Sequence, residues 1–434
     1  MKIDKIYLGN NLDVLKTFDD NSIDSVVTDP PYGINFMNKK WDYDIPSVEL
    51  WREVIRVLKP GGHILCACGT RTQHRMAVNI EEAGFEIRDI VAWIYGSGFP
   101  KSVNISKNID RKLGVESTII GKGISGTTER KTMFKAKELG KNGADSPFGG
   151  EYNITTPSTP QAKQYEGWGT ALKPAMELWT LARKPFNTTV ADNVLKYGTG
   201  GINIDGCRVG TEEGELTPRN NKDGQNGVFN ASGGYVEPNQ NGRFPANLIH
   251  DGSAEVVEGF PSEAGGGLRN SSNNKKTEYT NTYTPNEAQY SELNTYGDSG
   301  SASRFFYCAK SSQSERNMGL YGFEEEYTAS AEFRPNHMEK AKNGESGNPF
   351  GRWQPKRNIH PTVKPLELMR YLVRLITPKD GLCLDPYVGS GTTAIAAKQE
   401  KMRYIGIELD EKYHAIAEAR IKAAVVQYDI FDYL

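Results

Sequence analysis

The chain has 434 residues, more than one compact core usually contains, which predicts two domains or one domain with a large insertion. Apolar residues make up 37% and charged residues 24% of the sequence, and no apolar run approaches the roughly 18 residues of a membrane span. The start of the chain lacks the apolar stretch of a secretory signal. The whole chain has five cysteines, an odd and sparse set. We therefore expect a cytoplasmic protein, without export, membrane insertion or a disulfide framework.

The net formal charge of −2 hides local differences. Residues 101–150 carry ten Lys and Arg against five Asp and Glu, and residues 333–357 carry six against two. Residues 251–300 are acidic, with three basic against eight acidic side chains. Two basic segments in an otherwise acidic chain suggest contact with a polyanion, although solvated loops give the same pattern.

The first hundred residues predict alternating strands and helices. The run of β-branched residues before Pro30 predicts a strand, because consecutive prolines cannot continue a ladder. The predicted elements are a strand over residues 24–29, a helix over 50–58 ended by 59–62, a strand over 63–68, a helix over about 72–83 and a strand over 85–93. This order is typical of an open, mostly parallel sheet.

The centre of the chain has a different composition. Eighteen of the 45 glycines lie between Tyr197 and Ser303, which predicts loops with short strands, and residues 265–284 are predicted to be mobile. Regular patterns return near the end. The predicted elements there are a helix over residues 366–376, a strand over 381–385, a helix over 392–400, a strand over 403–408 and a helix over 411–424.

Two α/β ends therefore bracket an irregular centre, and we predict that they are halves of one Rossmann-like α/β sheet with helices on both faces, interrupted by a large irregular insertion. The predicted divisions are a first half over 1–110, a basic insertion over 111–165, a return to the core over 166–196, an inserted region over 197–355 and a second half over 356–434.

A glycine-rich turn joins the strand and helix around residues 384–393. Glycines there let a ligand approach the backbone, and the following helix offers free N–H groups. Glu408, at the end of the next strand, is placed to accept hydrogen bonds from ribose hydroxyls. The pattern favours a binding site for an adenosine-type cofactor over an ordinary turn between a strand and a helix. It is not a Walker loop, because no Gly-Lys-Ser/Thr follows.

A second candidate site is Asp29-Pro-Pro-Tyr32, at the end of the first predicted buried strand. Open α/β sheets bind ligands at such strand ends. A carboxylate, a fixed carbonyl and an aromatic ring suit a planar group that carries an NH₂, because two acceptors take its protons while the ring stacks on its face. The alternative is a proline-rich turn with a surface tyrosine.

Four segments together resemble the amino-group DNA methyltransferases, which modify adenine N6 or cytosine N4. The matching segments are Asp29-Pro-Pro-Tyr32, His360-Pro-Thr-Val-Lys-Pro365, residues 385–393 and Gly406-Ile-Glu408. The catalytic tetrapeptide precedes the S-adenosylmethionine motif, an order similar to that of the beta class. Residues 96–102 and 167–174 further resemble phage and prophage members.

The resemblance implies a site-specific adenine-N6 methyltransferase that uses S-adenosylmethionine and extrudes its target base. The catalytic residues it implies are Asp29, Pro30, Pro31 and Tyr32. The cofactor-binding residues it implies are Asn10, Asp29, His360, Thr362, Lys364, Asp385, Pro386, Tyr387, Gly389, Gly391, Thr392, Thr393 and Glu408, and no metal is expected. Asn10 departs from the family's usual Asp, and Tyr387 from its commoner Phe.

The implied partner is double-stranded DNA, which residues 197–355 and the basic segments would recognise; a membrane is not a partner. A homodimer and a cognate restriction enzyme remain open. The alternatives for the activity are cytosine-N4 methylation, methylation of RNA or a protein amide, and a DNA-binding protein without catalysis. Each of the five cysteines lacks a preceding proline, which argues against ring-carbon methylation of cytosine.

Three smaller predictions concern packing. Cys66 and Cys68, two apart on an apolar strand, are interpreted as core residues rather than metal ligands. Trp93, at the end of a predicted strand, and Trp168 are likewise interpreted as core residues, with the wall of a base pocket as the alternative for Trp93 and its neighbour Tyr95.

Overall fold

The protein is described here from a computed structural model. The structure describes residues 1–34, 44–96, 98, 102–125, 150–210, 219–220, 235–236, 242–262, 301–309, 313–325 and 357–425. The segment predicted to be mobile, 265–284, lies outside these ranges, as do most of the basic segment 333–357 and residues 126–149.

The strands are β1 Lys5–Leu8, β2 Ile23–Thr28, β3 Leu58–Gly69, β4 Glu86–Ile94, β5 Thr118–Ser125, β6 Gly150–Thr156, β7 Met176–Arg183, β8 Arg219–Asn220, β9 Tyr235–Val236, β10 Leu248–His250, β11 Tyr307–Cys308, β12 Leu382–Asp385 and β13 Arg403–Glu408. The α-helices are α1 Asn11–Leu15, α2 Val48–Val57, α3 Gln73–Glu82, α4 Ile105–Lys112, α5 Pro160–Gln164, α6 Val190–Tyr197, α7 Ala254–Val257, α8 Gln313–Arg316, α9 Leu366–Ile376, α10 Thr392–Gln399 and α11 Glu411–Ala423. Within the described ranges, no helix is long and apolar enough to cross a bilayer.

Nine strands form one sheet in the order β1-β13-β12-β2-β3-β7-β4-β10-β11. Every neighbouring pair is parallel except the two that β7 makes, with β3 and with β4. β2 from the first half pairs directly with β12 from the second, so that Ser25 lies beside Cys383. The prediction that the two ends of the chain are halves of one sheet is therefore confirmed.

Both faces of the sheet are covered, as predicted. Along β3 the side chains alternate: Leu65 belongs to the core cluster on the face covered by α9, α10 and α11, whereas Cys66 and Cys68 belong to the cluster packed against α2 and α3. Both cysteines are fully buried in apolar surroundings, which confirms them as core residues. This alternation follows from the period of two along a strand.

The start of β3 differs from its prediction by five residues, whereas the other predicted strands and helices of the two halves differ by one or two residues at an end or agree. β3 begins at Leu58, directly after α2, although residues 59–62 were predicted only to end the helix and the strand was predicted to begin at His63. Pro60 is accommodated because the pairing with β2 shifts register between Ile23 and Ser25. The Pro60 carbonyl accepts hydrogen bonds from the Asn193 and Thr199 side chains instead of a ladder partner.

The central region adds strands at one edge of the sheet. β10 pairs with β4, and β11 pairs with β10, both in parallel. Separately, β5 and β6 form an antiparallel pair beside α4 and α5. The short strands predicted for the central region are therefore present in its described part.

Candidate active site

A cavity of about 1960 Å³ lies along the edge of the sheet where the parallel strands end. Its wall contains residues that follow β1, β2, β12 and β13, because parallel strands bring their carboxyl ends to one edge. The residues predicted as catalytic or cofactor-binding that line it are Asn10, Asp29, Pro30, Pro31, Tyr32, His360, Thr362, Lys364, Asp385, Pro386, Tyr387, Gly389, Thr392, Thr393 and Glu408. Tyr32 and Gly389, 357 positions apart in the sequence, share this cavity.

The two glycines of the turn have different roles. Gly389 lines the cavity with φ +53°, and a Cβ added there would lie 2.7 Å from Nε2 of His360. Gly391, with φ +86°, lies behind the wall, where an added Cβ would meet the Ala417 backbone at 3.1 Å. The structure thus places Gly389 on the wall of the cavity and Gly391 at the packing of α11 against the turn.

Asp385 holds the turn in shape. Its Oδ1 accepts hydrogen bonds from Thr28 Oγ1 at 2.7 Å and from the Tyr387 N–H at 3.0 Å, and its Oδ2 accepts one from Thr393 Oγ1 at 2.5 Å. Burial raises the pKa of Asp385 to about 6, although these hydrogen bonds oppose the shift. The bond to Thr28 ties the ends of β2 and β12 together, and with them the two predicted motifs.

Glu408 lies at the end of β13 with both carboxylate oxygens in use. Oε2 accepts from the Gly389 N–H at 2.9 Å, and Oε1 accepts from the Asp410 N–H at 2.8 Å. Burial raises the pKa of Glu408 to about 7, although these backbone donors oppose it. Since each carboxylate oxygen has a further lone pair, Glu408 retains capacity to accept from a ligand hydroxyl.

The imidazole ring of His360 lies beside the turn at Gly389. Its Nδ1 lies 3.0 Å from the Thr362 carbonyl, so Nδ1 carries the proton in this contact. Burial lowers the pKa of His360 to about 4, which leaves the ring neutral at physiological pH. Arg316 donates to the His360 carbonyl at 2.6 Å, and the ring of Tyr413 meets the imidazole edge-on at 4.7 Å. The sequence analysis missed Arg316 and Tyr413, both of which line the cavity.

Asn10 has a structural role besides its place on the cavity wall. Its Oδ1 accepts from the Leu12 N–H at 3.0 Å and so caps α1. Asn11, next in the chain, donates to the Pro386 carbonyl at 3.3 Å. The pair therefore joins the start of α1 to the second motif.

A mostly buried ion cluster, which we call the lysine cluster, lines the cavity and consists of Asp29, Tyr32, Glu177 and Lys364. The Lys364 ammonium is 3.1 Å from Asp29 Oδ1 and 2.7 Å from Glu177 Oε2. It also donates to Tyr32 Oη at 2.9 Å, and that hydroxyl donates to Asp29 Oδ1 at 2.7 Å. Glu177, at the start of β7, was not among the predicted residues.

The pKa values in the lysine cluster reflect its burial. For Lys364, burial alone would lower the pKa, but the Asp29 and Glu177 carboxylates outweigh this and raise it. For Glu177, burial raises the pKa and Lys364 opposes the shift. For Tyr32, burial and the two carboxylates raise the pKa well above its usual value. We conclude that Lys364 stays charged and Tyr32 stays neutral at physiological pH.

Two of the aromatic residues that line the cavity lie near the end of β4. Trp93 and Tyr95 both line the cavity, with ring centroids 4.8 Å apart, while Trp93 is also 8% exposed and part of the core. The prediction that Trp168 is a core residue is wrong, because Trp168 is 62% exposed. Its ring meets that of Tyr165 edge-on, with the ring centroids 6.0 Å apart. Among the described residues, no group of three or more His, Cys, Asp or Glu side chains is arranged to hold a metal ion.

The sheet, the shared cavity and the positions of the two motifs define an α/β protein with a candidate ligand cavity where the two halves of its chain meet. The family described as DNA methylase (N6_N4_Mtase) matches residues 23–419, and the chain belongs to this family.

Individual relatives match shorter stretches. The chain is 45% identical over 64 residues to a putative methylase, YubD, of Escherichia coli K12, which is 15% of this chain and 28% of that protein. It is 41% identical over 70 residues to the type II methyltransferase M2.MboI of Moraxella bovis, 16% of this chain and 26% of that one. The chain thus aligns with less than a third of the length of these relatives. The solved structure of an M1.HpyAVI–SAM complex is similar with a TM-score of 0.37 and 14% identity, over 96% of this chain and 98% of that one.

Proposed function

We propose that this protein is a DNA methyltransferase that transfers a methyl group from S-adenosylmethionine to the exocyclic N6 of an extruded adenine. One observation carries the proposal: the Asp29-Pro-Pro-Tyr32 segment and the glycine-rich turn at Gly389 line the same cavity. The proposal takes the first segment as the acceptor site for an amino group and the second as the site of an adenosine-type cofactor. Membership of the DNA methylase family supports DNA as the substrate.

The residues at the turn fit S-adenosylmethionine. Gly389 leaves open a space that a Cβ would fill, and Glu408 offers carboxylate oxygens to ribose hydroxyls. The lysine cluster contains two carboxylates and one ammonium, so its net charge suits a positively charged sulfonium nearby. When bound, this cofactor supplies an electrophilic methyl group on sulfur.

Asp29, Pro30 and Tyr32 would act on the target base. The lone pair of an exocyclic amino nitrogen is conjugated into the ring, so the nitrogen is a weak nucleophile. Hydrogen bonds from its two N–H groups to the Asp29 carboxylate and the Pro30 carbonyl would favour a pyramidal nitrogen as positive charge develops. Asp29 Oδ1 already accepts from Tyr32, but a carboxylate has about four acceptor positions and retains capacity for the base.

The size of the cavity and its surroundings support an extruded nucleotide as the second ligand. A drug-sized ligand usually occupies about 300–1000 Å³, and the cavity of about 1960 Å³ exceeds this. The exposed residues 170–175 line part of it, and Thr170 is hydrogen-bonded to Ser102 and Val103 just before α4. α4 carries three exposed basic residues, which would contact DNA phosphates beside this part of the wall: Lys107, Arg111 and Lys112. We assign sequence recognition to residues 197–355.

Product analysis tests this function. The protein is incubated with duplex DNA and methyl-labelled S-adenosylmethionine, and the DNA is digested to nucleosides. We expect label in N6-methyl-2′-deoxyadenosine, because Asp rather than Ser at position 29 favours adenine over cytosine N4. Label only in N4-methyl-2′-deoxycytidine would overturn the choice of base. In a parallel incubation with RNA, label in RNA but not in DNA would overturn the choice of substrate.

The pKa of Glu408 predicts that cofactor affinity depends on pH. With a pKa of about 7, Glu408 is mostly ionised at pH 8 and mostly protonated at pH 6. Since ribose hydroxyls donate to the ionised form, the Kd for S-adenosylmethionine should be about five- to tenfold weaker at pH 6 than at pH 8. Isothermal titration calorimetry at both values measures this. Glu408→Gln should bind weakly at both pH values, and an equal pH dependence in that variant would assign the effect to another group.

A further inference from the structure

Glu177 is a carboxylate on the cavity wall that belongs to neither motif. It lies at the second position of β7, a strand whose other residues are apolar or neutral up to Arg183. Its side chain is 16% exposed, and Oε2 lies 2.7 Å from the Lys364 ammonium. A buried carboxylate at the edge of a ligand cavity is costly to retain, which makes a functional role worth testing.

The position of Lys364 creates an electrostatic problem for the reaction proposed above. The ammonium lies 3.1 Å from Asp29 Oδ1, and Asp29 is the group that would stabilise positive charge on the attacking nitrogen. A cation this close cancels much of the attraction between that carboxylate and the developing charge. Asp29 and Lys364 alone would have no net charge.

Glu177 restores a net negative charge to the lysine cluster. With Glu177 the three ionised groups of the lysine cluster carry a net charge of −1, because two carboxylates share one ammonium. Glu177 also contacts the ammonium directly, at 2.7 Å, while the ammonium donates to the Tyr32 hydroxyl at 2.9 Å.

We propose that Glu177 is a positioning residue for methyl transfer, which acts through Lys364 to keep the net charge of the lysine cluster negative. This inference rests on the proposed function. It assigns to β7 a part in catalysis although the strand carries neither motif, and it explains how an aspartate paired with a lysine remains an effective acceptor for an amino group.

Charge-exchange variants of the full chain test the inference, with single-turnover and steady-state methylation of duplex DNA as readouts. Glu177→Gln gives a net charge of zero and should lower kcat about 10- to 100-fold while the Kd for S-adenosylmethionine stays within about threefold. Glu177→Asp keeps the charge at a longer distance and should be more active than Glu177→Gln. Adding Lys364→Met to Glu177→Gln returns the net charge to −1 and should raise kcat about fivefold or more above the single variant.

A matched control lies on the neighbouring strand β4, at Glu86. Glu86 pairs with Arg183 at 2.6 Å, at the opposite end of β7 from Glu177. Glu86→Gln should therefore leave kcat unchanged, and thermal melting of every variant separates misfolding from loss of chemistry. Wild-type kcat in Glu177→Gln, or a double variant no more active than that single variant, would overturn the inference. A wild-type chain without turnover on DNA would instead overturn the proposed function.

Discussion

Asp29→Ala is expected to lower the rate of methyl transfer about 100- to 1000-fold while binding of S-adenosylmethionine stays measurable. The substitution removes the carboxylate that would accept from the target amino group, an interaction that grows stronger as charge develops on nitrogen. It leaves the turn at Gly389 and the Glu408 carboxylate in place, since neither is bonded to Asp29 in the contacts described above. Single-turnover methylation with labelled cofactor gives the rate, and calorimetry gives the cofactor Kd.

Asp29→Asn is the informative companion of Asp29→Ala. Asparagine keeps the size of the side chain and one acceptor oxygen but removes the negative charge. If charge at position 29 drives the rate, the Asn variant should also be strongly impaired. A rate near wild type in Asp29→Asn would mean that shape and one neutral acceptor suffice. A cofactor Kd weakened as much as the rate in Asp29→Ala would assign the residue to cofactor binding.

Much of this architecture could be predicted from the sequence because its two halves carry strong local patterns. The bounds of α9 and β13 agree with their predictions to the residue, since their apolar periods differ clearly from the flanking segments. Because both motifs were predicted to lie at strand ends, the sequence also predicted that the two halves of the chain meet in one sheet. The hydrogen bond between Thr28 and Asp385 shows how closely the two motifs lie.

Glu177 was missed for a topological reason. β7 is antiparallel to both neighbours, so its first residues, rather than its last, lie at the edge where the parallel strands end. The sequence does not reveal strand direction after the long segment between β4 and β7. A signal was nonetheless present, because an acidic residue at the start of an apolar strand is unusual unless it has a partner.

The error at Trp168 and the dual role of Asn10 have a common origin. Residue type indicates how much an indole gains by burial, but not whether neighbouring elements cover it, and Trp168 remains 62% exposed although its ring meets that of Tyr165. Likewise, the acceptor expected to face a ligand at Asn10 also caps α1 through the Leu12 N–H. Both outcomes depend on tertiary geometry rather than on residue type.

Gly389→Leu is expected to abolish detectable uptake of S-adenosylmethionine in calorimetry, which corresponds to a loss of at least about 100-fold in affinity. The Cβ would approach His360 Nε2 to 2.7 Å, and the remaining side-chain atoms would extend into the cavity. Left-handed backbone at φ +53° adds roughly 1–2 kcal/mol of strain for a non-glycine residue. Methylation should fall with it, because the rate then depends on a cofactor that does not bind.

Gly198→Leu separates the two possible causes of the lost cofactor affinity in Gly389→Leu, which are backbone strain and the bulk of the side chain in the cavity. Gly198 ends α6 with φ +76°, in the same left-handed region, but no heavy atom lies within 4 Å of an added Cβ. It should therefore lose a similar amount of stability, roughly 1–2 kcal/mol in denaturant unfolding, while its cofactor Kd stays at the wild-type value. If Gly198→Leu also failed to bind cofactor, backbone strain alone would account for the result at Gly389. Binding retained in Gly389→Leu would instead remove the glycine-rich turn from the cofactor site, and with it the division of labour between the turn and Asp29.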